Sequence, residues 1–330
     1  MKQGPGRFEY YLIQLEELLG KAALTKNPAI FLYQNDVRTK LFMLEGLSKL
    51  YTGLHNKKRF VYALEYFKSL EDLFGAVNYY DGIAKDFLND NEMPSTLRMF
   101  AEDKKEKMLQ TVNLMLVKKK WTSPDLYRTK KIRKKIKKAD WQDPEIEVES
   151  IKKFYKKSID NVIEFYLETG IEFTDIELQV HDLRRRLRWL CIYPQALRGC
   201  VQFVDNDINT PEIAKYLTPE IVNSPFNVMP AVGTNQYFIF VEKNYFLALS
   251  YVINSLGKIK DEGLRIMATA EAVENTQFVN EKVSLERAFT LNHVEESGLK
   301  DILQNAKEIC EPFFYEDNLS KLLSKETIKN

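Results

Sequence analysis

Val180-His181-Asp182-Leu183-Arg184-Arg185-Arg186-Leu187-Arg188-Trp189-Leu190 is where side chains with anion chemistry crowd together. At a helical period of about 100° per residue, Val180, Leu183, Leu187 and Leu190 share one stripe. His181, Arg184 and Arg188, with Arg185 beside them, share a second stripe roughly a quarter to a third of a turn away. One face therefore seals a core, while the next offers three guanidiniums and an imidazole. Guanidiniums stay charged in proteins, and their forked donors match the oxygens of phosphate. The chemistry this pattern suits is oxyanion binding. The competing reading is a solvated helix face, with interhelical ion pairs for Arg184 and Arg188 and a structural hydrogen bond for His181. Neighbouring arginines lower the pKa of His181, and a bound polyanion raises it again.

Other chemistries find little support. Neither G-x-x-x-x-G-K-[ST] nor G-x-G-x-x-G occurs, so no phosphate loop is expected. His55 and His293 have no comparable company, and no set of carboxylates suggests a metal-dependent phosphohydrolase. Cys191, Cys200 and Cys310 are too few and too scattered for a disulfide framework or a zinc site. We expect no catalytic residues, no metal and no cofactor. The aromatic side chains Tyr79, Tyr80, Tyr237, Phe238 and Phe240 read as packing residues rather than a base-stacking platform.

The elements that must position the arginine helix come next. In 330 residues, 13 glycines and 11 prolines are few, which favours helices over a turn-rich sandwich. Net charge is +1, so nucleic acid is not an expected partner of the whole chain. The N-terminus lacks a signal-peptide core, and no apolar run approaches a membrane span. The expectation is a cytoplasmic protein with no membrane partner.

Helical periodicity runs over Phe8 to Leu24, from Pro28 or Asn35 to Leu54, over Lys58 to Leu88 with a break near Gly75, and over Leu97 to Val117. Asn27 is placed to cap the second. Lys118 to Lys138 then holds eleven Lys and Arg against one acid, Asp125. It reads as a solvated connector or as an electrostatic arm, with Ile132 and Ile136 spaced for a short helix. Beyond Trp141 to Pro144, Glu145 to Thr169 is helical with Gly170 as cap, and the arginine helix runs from Phe173 to Tyr193, stopping at Pro194. Asn227 to Val241 breaks the helical pattern and reads as a β-hairpin or extended insertion. Helices resume over Lys243 to Ile259, Asp261 to Glu274, Val279 to Phe289 and His293 to Ile309, and the tail after Phe313 reads as frayed. The expected domains are 1–140, including the basic 118–138 stretch, and 141–330, including an insertion at 205–241.

The chain also echoes itself. Val37-Arg38-Thr39-Lys40-Leu41-Phe42-Met43-Leu44 aligns with Leu183 to Leu190, with apolar matches at 37/183, 41/187 and 44/190 and basic matches at 38/184 and 40/186. Phe74-Gly75-Ala76-Val77-Asn78 likewise echoes Leu256-Gly257-Lys258-Ile259-Lys260. The two offsets differ by a length that the 205–241 insertion absorbs, which argues for a duplicated helical unit.

At these residues the chain resembles the CHAD family, the conserved-histidine α-helical domain, whose repeats carry V-H-x-L-R-x-x-x-R-x-L and, later, L-G-x-x-R-D. Val180, His181, Leu183, Arg184, Arg188 and Leu190 match the first pattern. Leu256, Gly257 and Asp261 match the second, with Lys260 in place of its arginine. In the first half Arg38 and Gly75 fit, while Asn35, Phe42, Asn78 and Tyr79 replace the family's histidine, arginines and aspartate. The resemblance implies an all-α fold of two pseudo-symmetric antiparallel four-helix bundles. It also implies a non-enzymatic module binding inorganic polyphosphate or a similar polyanion in a basic groove between them. The candidate polyanion-binding residues are His181, Arg184, Arg185, Arg188, Arg38, Lys40 and Lys260. The alternative is a structural or protein-interaction scaffold that has lost its ligand site, with the insertion as a partner surface.

Overall fold

The computed structural model describes residues 2–169, 172–204, 210–295 and 298–324. The expected cap at Gly170 and residues 205–209 of the insertion lie outside them. The protein is predominantly helical: among the described residues, thirteen α-helices carry the chain and the one sheet has two strands. The chain forms two compact units. The first comprises Lys2–Trp141 and Ile266–His293, and the second comprises Gln142–Arg265 and Val294–Asn330.

In the first unit the order is α1 (Gly4–Ala22), α2 (Pro28–Gln34), α3 (Val37–Leu54), α4 (Lys57–Asn89), α5 (Ser95–Lys118) and α6 (Tyr127–Lys137). Asn27 caps α2 by accepting from the Ile30 amide, at 3.2 Å. The expected second helix is two, because Asp36 takes a left-handed φ of 52° and ends the run. The expected break at Gly75 does not occur; α4 is continuous there. Phe8, Tyr51, Phe60 and Trp141 bury their rings together, with Tyr51 and Trp141 edge to face at 5.0 Å.

The basic stretch after α5 is a packed element. Ile132 and Ile136 are buried, as is Trp121 ahead of them. Arg133 forks onto Glu16 at 2.6 and 2.7 Å and reaches Glu9 at 2.9 Å. Arg128 lies 4.0 Å over the Tyr66 ring and donates to the Lys119 carbonyl and the Tyr62 hydroxyl. Its guanidinium thereby tethers the start of α6 to the end of α5.

In the second unit, α7 (Pro144–Thr169) precedes a π-helical turn (Ile176–His181), α8 (Asp182–Ala196), β1 (Val201–Val204), α9 (Pro211–Ala214), α10 (Pro219–Val222) and β2 (Ile239–Glu242). Then come α11 (Lys243–Gln277), α12 (Glu281–Leu291) and α13 (Gly298–Tyr315). The two helices expected between Lys243 and Glu274 are one, and α11 passes from the second unit to the first at Arg265. Its last turns place Ala268, Ala272 and Val273 in a first-unit core with Ile83, Phe87, Met93 and Leu97.

The expected hairpin is instead a parallel pair, with Val201 opposite Ile239 and Val204 opposite Glu242. Parallel pairing needs a long crossover, and its described part, residues 210–238, carries the short helices α9 and α10. The crossover returns close to Gly199, whose φ of 80° and whose approach to the Ala231 carbonyl leave no room for a side chain. The tail is not frayed through 324: Leu319 and Leu322 are buried, and the Glu242 amide donates to the Leu322 carbonyl at 3.0 Å.

The arginine helix is entered through the π turn. Asp175 caps it by accepting from the Leu178 amide at 2.6 Å, and the Val180 amide reaches five residues back to the Asp175 carbonyl. The wider turn keeps Ile176 and Val180 both buried ahead of Leu183, Leu187 and Leu190. Pro194 does not end α8, which continues to Ala196. Lacking an N–H, Pro194 leaves the Leu190 carbonyl without its helical donor. The buried Tyr155 hydroxyl of α7 donates to that carbonyl at 2.8 Å.

Tyr155→Phe is therefore expected to cost about 1–3 kcal/mol, because it orphans a buried carbonyl. In a Pro194→Ala background the restored backbone amide takes over as donor, and the same change should cost clearly less. Denaturant melts of the four proteins measure this coupling; equal costs in both backgrounds would refute it.

Candidate anion-binding site

His181 closes the π turn, so its imidazole leaves the helix where the backbone widens. Its Nδ1 lies 2.9 Å from Glu177 Oε1, one turn back. Burial holds its pKa below the ordinary histidine value. Glu177 opposes that shift, while the charges of Lys260 and Arg185 reinforce it. Lys260 Nζ is itself 2.5 Å from Asp261 Oδ1. Arg185 is exposed, with no carboxylate partner among the described residues. The second unit thus gathers His181, Arg185 and Lys260, faced by two carboxylates, Glu177 and Asp261, that are 60% and 73% exposed.

Arg184 takes a different position. Its Nε donates to the Ile253 carbonyl of α11 at 3.0 Å, and its guanidinium lies flat over Gly257, one turn on. A Cβ on Gly257 would sit 3.1 Å from Nε and 3.2 Å from Nη2. Glycine here lets the half-buried cation approach the α11 backbone. Burial lowers the Arg184 pKa, and Asp261 counters that shift. Arg188 follows one turn later on α8, half-buried. Arg186 bonds Asp182 at 2.9 Å and stacks 4.0 Å over Phe165.

The first unit repeats the arginine–glycine contact with a different neutralising group. Arg38 of α3 lies 3.4 Å from the position of a Cβ on Gly75 of α4. Its Nη2 and Nε both donate to Glu71 Oε1, at 2.7 and 3.1 Å. Glu71 precedes Gly75 by one turn, as Ile253 precedes Gly257. Phe42, in the place of the second arginine, packs 5.2 Å under the Arg38 guanidinium. Asn35 bonds back to the Phe31 carbonyl as the C-cap of α2, and Lys40 pairs with Asp36 at 3.2 Å. Asp81 is held by Tyr33 at 2.8 Å and by Lys85 at 2.6 Å.

Next to the Arg38–Glu71 pair lies a group not singled out by the sequence. Glu45 of α3 is buried, and its Oε2 has no hydrogen-bond partner among the described residues. Burial, with the nearby negative charge of Glu71, pushes its pKa up to about 7. Among the described residues, no group of three His, Cys, Asp or Glu side chains is placed to hold a metal ion. His293 pairs with Glu92 at the surface, and His55 sits among Tyr51, Phe60 and Trp141. A scan of the chain against protein-family models gives no match, and no curated protein matches it.

Two outcomes follow from these contacts. Gly75→Ala should stabilise by about 0.5–1 kcal/mol through helix propensity, whereas Gly257→Ala should not, because its methyl presses on Arg184. Equal gains in thermal melts would mean that Arg184 does not rest on Gly257. Glu45 is neutral in the folded chain up to about pH 7 and ionises near 4.5 when unfolded. Stability should therefore fall as pH rises between those values, by about 3 kcal/mol in all. Glu45→Gln should flatten that slope; an unchanged slope would show that Glu45 is ionised in the native protein.

Proposed function

We propose that the chain is a non-enzymatic polyanion-binding module, that inorganic polyphosphate is its ligand, and that the ligand seats on His181, Arg185 and Lys260 of the second unit. One observation supports this most. The charges of Lys260 and Arg185 both act on the His181 imidazole, while Glu177 and Asp261, the carboxylates paired with His181 and Lys260, are both largely exposed. An arriving phosphate replaces two solvated carboxylates and breaks no buried ion pair. Arg184 acts from below, fixing α8 on α11, and Arg188 extends positive charge along the same helix. The paired arginine–glycine contacts, Arg38 on Gly75 and Arg184 on Gly257, support descent of both units from one CHAD-like helical repeat.

The second reading, a scaffold with a decayed site, draws on the first unit. There Arg38 is neutralised by Glu71 and Lys40 by Asp36, leaving neither as a free cation. On this reading the crossover, with Phe226 and Val228 at the surface, meets a protein partner.

Isothermal titration of long-chain polyphosphate at about 0.1 M salt separates the two readings. Wild type should bind. His181→Ala/Arg185→Ala/Lys260→Ala should lose at least about tenfold, and raising salt should weaken wild-type binding steeply, because releasing counterions from the polyanion gains less free energy at high salt. Binding should also strengthen on acidification, because the depressed pKa of His181 recovers next to a polyanion. Absence of wild-type binding, or equal binding by the triple variant, would favour the scaffold.

A further inference from the structure

Helix α6 sorts its cations by type. On a helical wheel Lys130, Lys131, Lys134, Lys137 and Lys138 fall within about 120° of one another. All five are exposed, and among the described residues none makes a carboxylate ion pair, although the charge of Lys130 reaches Glu16. The opposite side holds Thr129, Ile132 and Ile136, all buried. The two arginines are spent inward, Arg133 on Glu9 and Glu16 and Arg128 on Tyr66 and the Lys119 carbonyl. Lys118 and Lys120, both exposed, extend the charge at the N-terminal end of the helix. The acids nearest in sequence are Asp125 and Asp140, and Asp125 accepts from the Ser123 hydroxyl.

Exposed apolar side chains occur on this helix and in the helix before it. Tyr127, on the lysine side of the wheel, is 38% exposed, with Lys120 and Lys131 5.2 and 5.5 Å from its ring centre. In the last turns of α5, Leu114 and Val117 are 71% and 73% exposed, and Val117 is three residues from Lys120. The lysine face spans about 12 Å along the outside of a single helix, so it is convex. A convex array of point charges offers no cleft for a strand, and its one aromatic ring is already flanked by lysines. It does fit a flat, negatively charged surface. Lysines beside exposed aliphatic and aromatic groups are the combination that binds headgroups while apolar tips enter the acyl boundary.

We propose that the lysine face of α6, with Leu114, Val117 and Tyr127, docks the protein peripherally on an anionic lipid bilayer. This surface shares no residue with the His181 corner, so either proposal can fail while the other stands.

The test is co-sedimentation of the full chain with vesicles at about 0.1 M salt, comparing phosphatidylcholine alone with phosphatidylcholine containing about 30% phosphatidylserine. Binding is expected only to the anionic vesicles, with release at about 0.5 M salt. Lys130→Gln/Lys134→Gln/Lys137→Gln should lower partitioning about a hundredfold, at roughly fivefold per lysine, with the circular dichroism spectrum unchanged. Leu114→Ser/Val117→Ser should weaken binding with all the charges still in place. No binding of wild type to anionic vesicles, or equal binding by the lysine variant, would overturn the proposal. Binding of a short RNA or of polyphosphate through these lysines, without vesicle binding, would overturn it in favour of a soluble polyanion.

Discussion

A guanidinium cannot shed its charge when it is drawn partly out of water, and one half-buried arginine in each unit answers to that constraint. Arg38 and Arg184 each leave one helix and lie across a glycine of another. In the first unit a carboxylate, Glu71, takes the donors; in the second a backbone carbonyl, that of Ile253, accepts them. At Gly257 the missing side chain lets Arg184 come close, whereas at Gly75 a methyl would meet Arg38 only at ordinary contact distance. The two arginines join α3 to α4 and α8 to α11. Glu45 is set against the same pair. Its neighbour Glu71 already faces an arginine, and its own Oε2 finds no donor among the described residues.

The same accounting of buried polar groups explains the irregular backbone near the arginine helix. Pro194 removes one donor from α8, and Tyr155 replaces it from α7. The π turn before α8 is held by Asp175 and by the side-chain oxygen of Gln179, which accepts from the Thr174 and Asp175 amides. Each irregularity is compensated by a specific side chain, and together they set where His181 leaves the helix. On α6 the logic sorts residue types. Arg128 and Arg133, able to fork or stack, face inward, while the lysines other than Lys135, which lies over Tyr62, remain in solvent.

Local patterns in the sequence were read well where the cause is local. The Val180, Leu183, Leu187, Leu190 stripe is buried, and Asn27 caps its helix. Errors arose where a distant partner decides. Gly75 and Lys260-Asp261 look like breaks, yet the surrounding packing carries α4 and α11 through them. A parallel strand pair leaves no turn signature, so β1 and β2 could not be matched from residues 227–241 alone. The tail after Phe313 is polar in places, but Leu319 and Leu322 find cover and the backbone reaches β2. At the candidate site, the one-turn spacing of Glu177 and His181 is legible in the sequence, although the sequence reading passed over it. The pairing of Arg38 with Glu71 is not legible, because it joins two helices. The basic 118–138 stretch showed its charge in sequence but not its inner face, which Glu9, Glu16 and Tyr66 create.

Helix α11 belongs to both units, with its last turns completing a core built from α4 and α5. This gives the polypeptide a temporal order. As the chain is synthesised, Ile83, Phe87, Met93 and Leu97 emerge long before Ala268, Ala272 and Val273, which must cover them. Between them come the rest of the first unit to Trp141 and the second-unit residues Gln142–Arg265, all made before that cover emerges. The first unit to begin on the ribosome is thus completed only when the helix shared by both has emerged, and its apolar surface waits in the meantime for cover from nearly two hundred residues downstream.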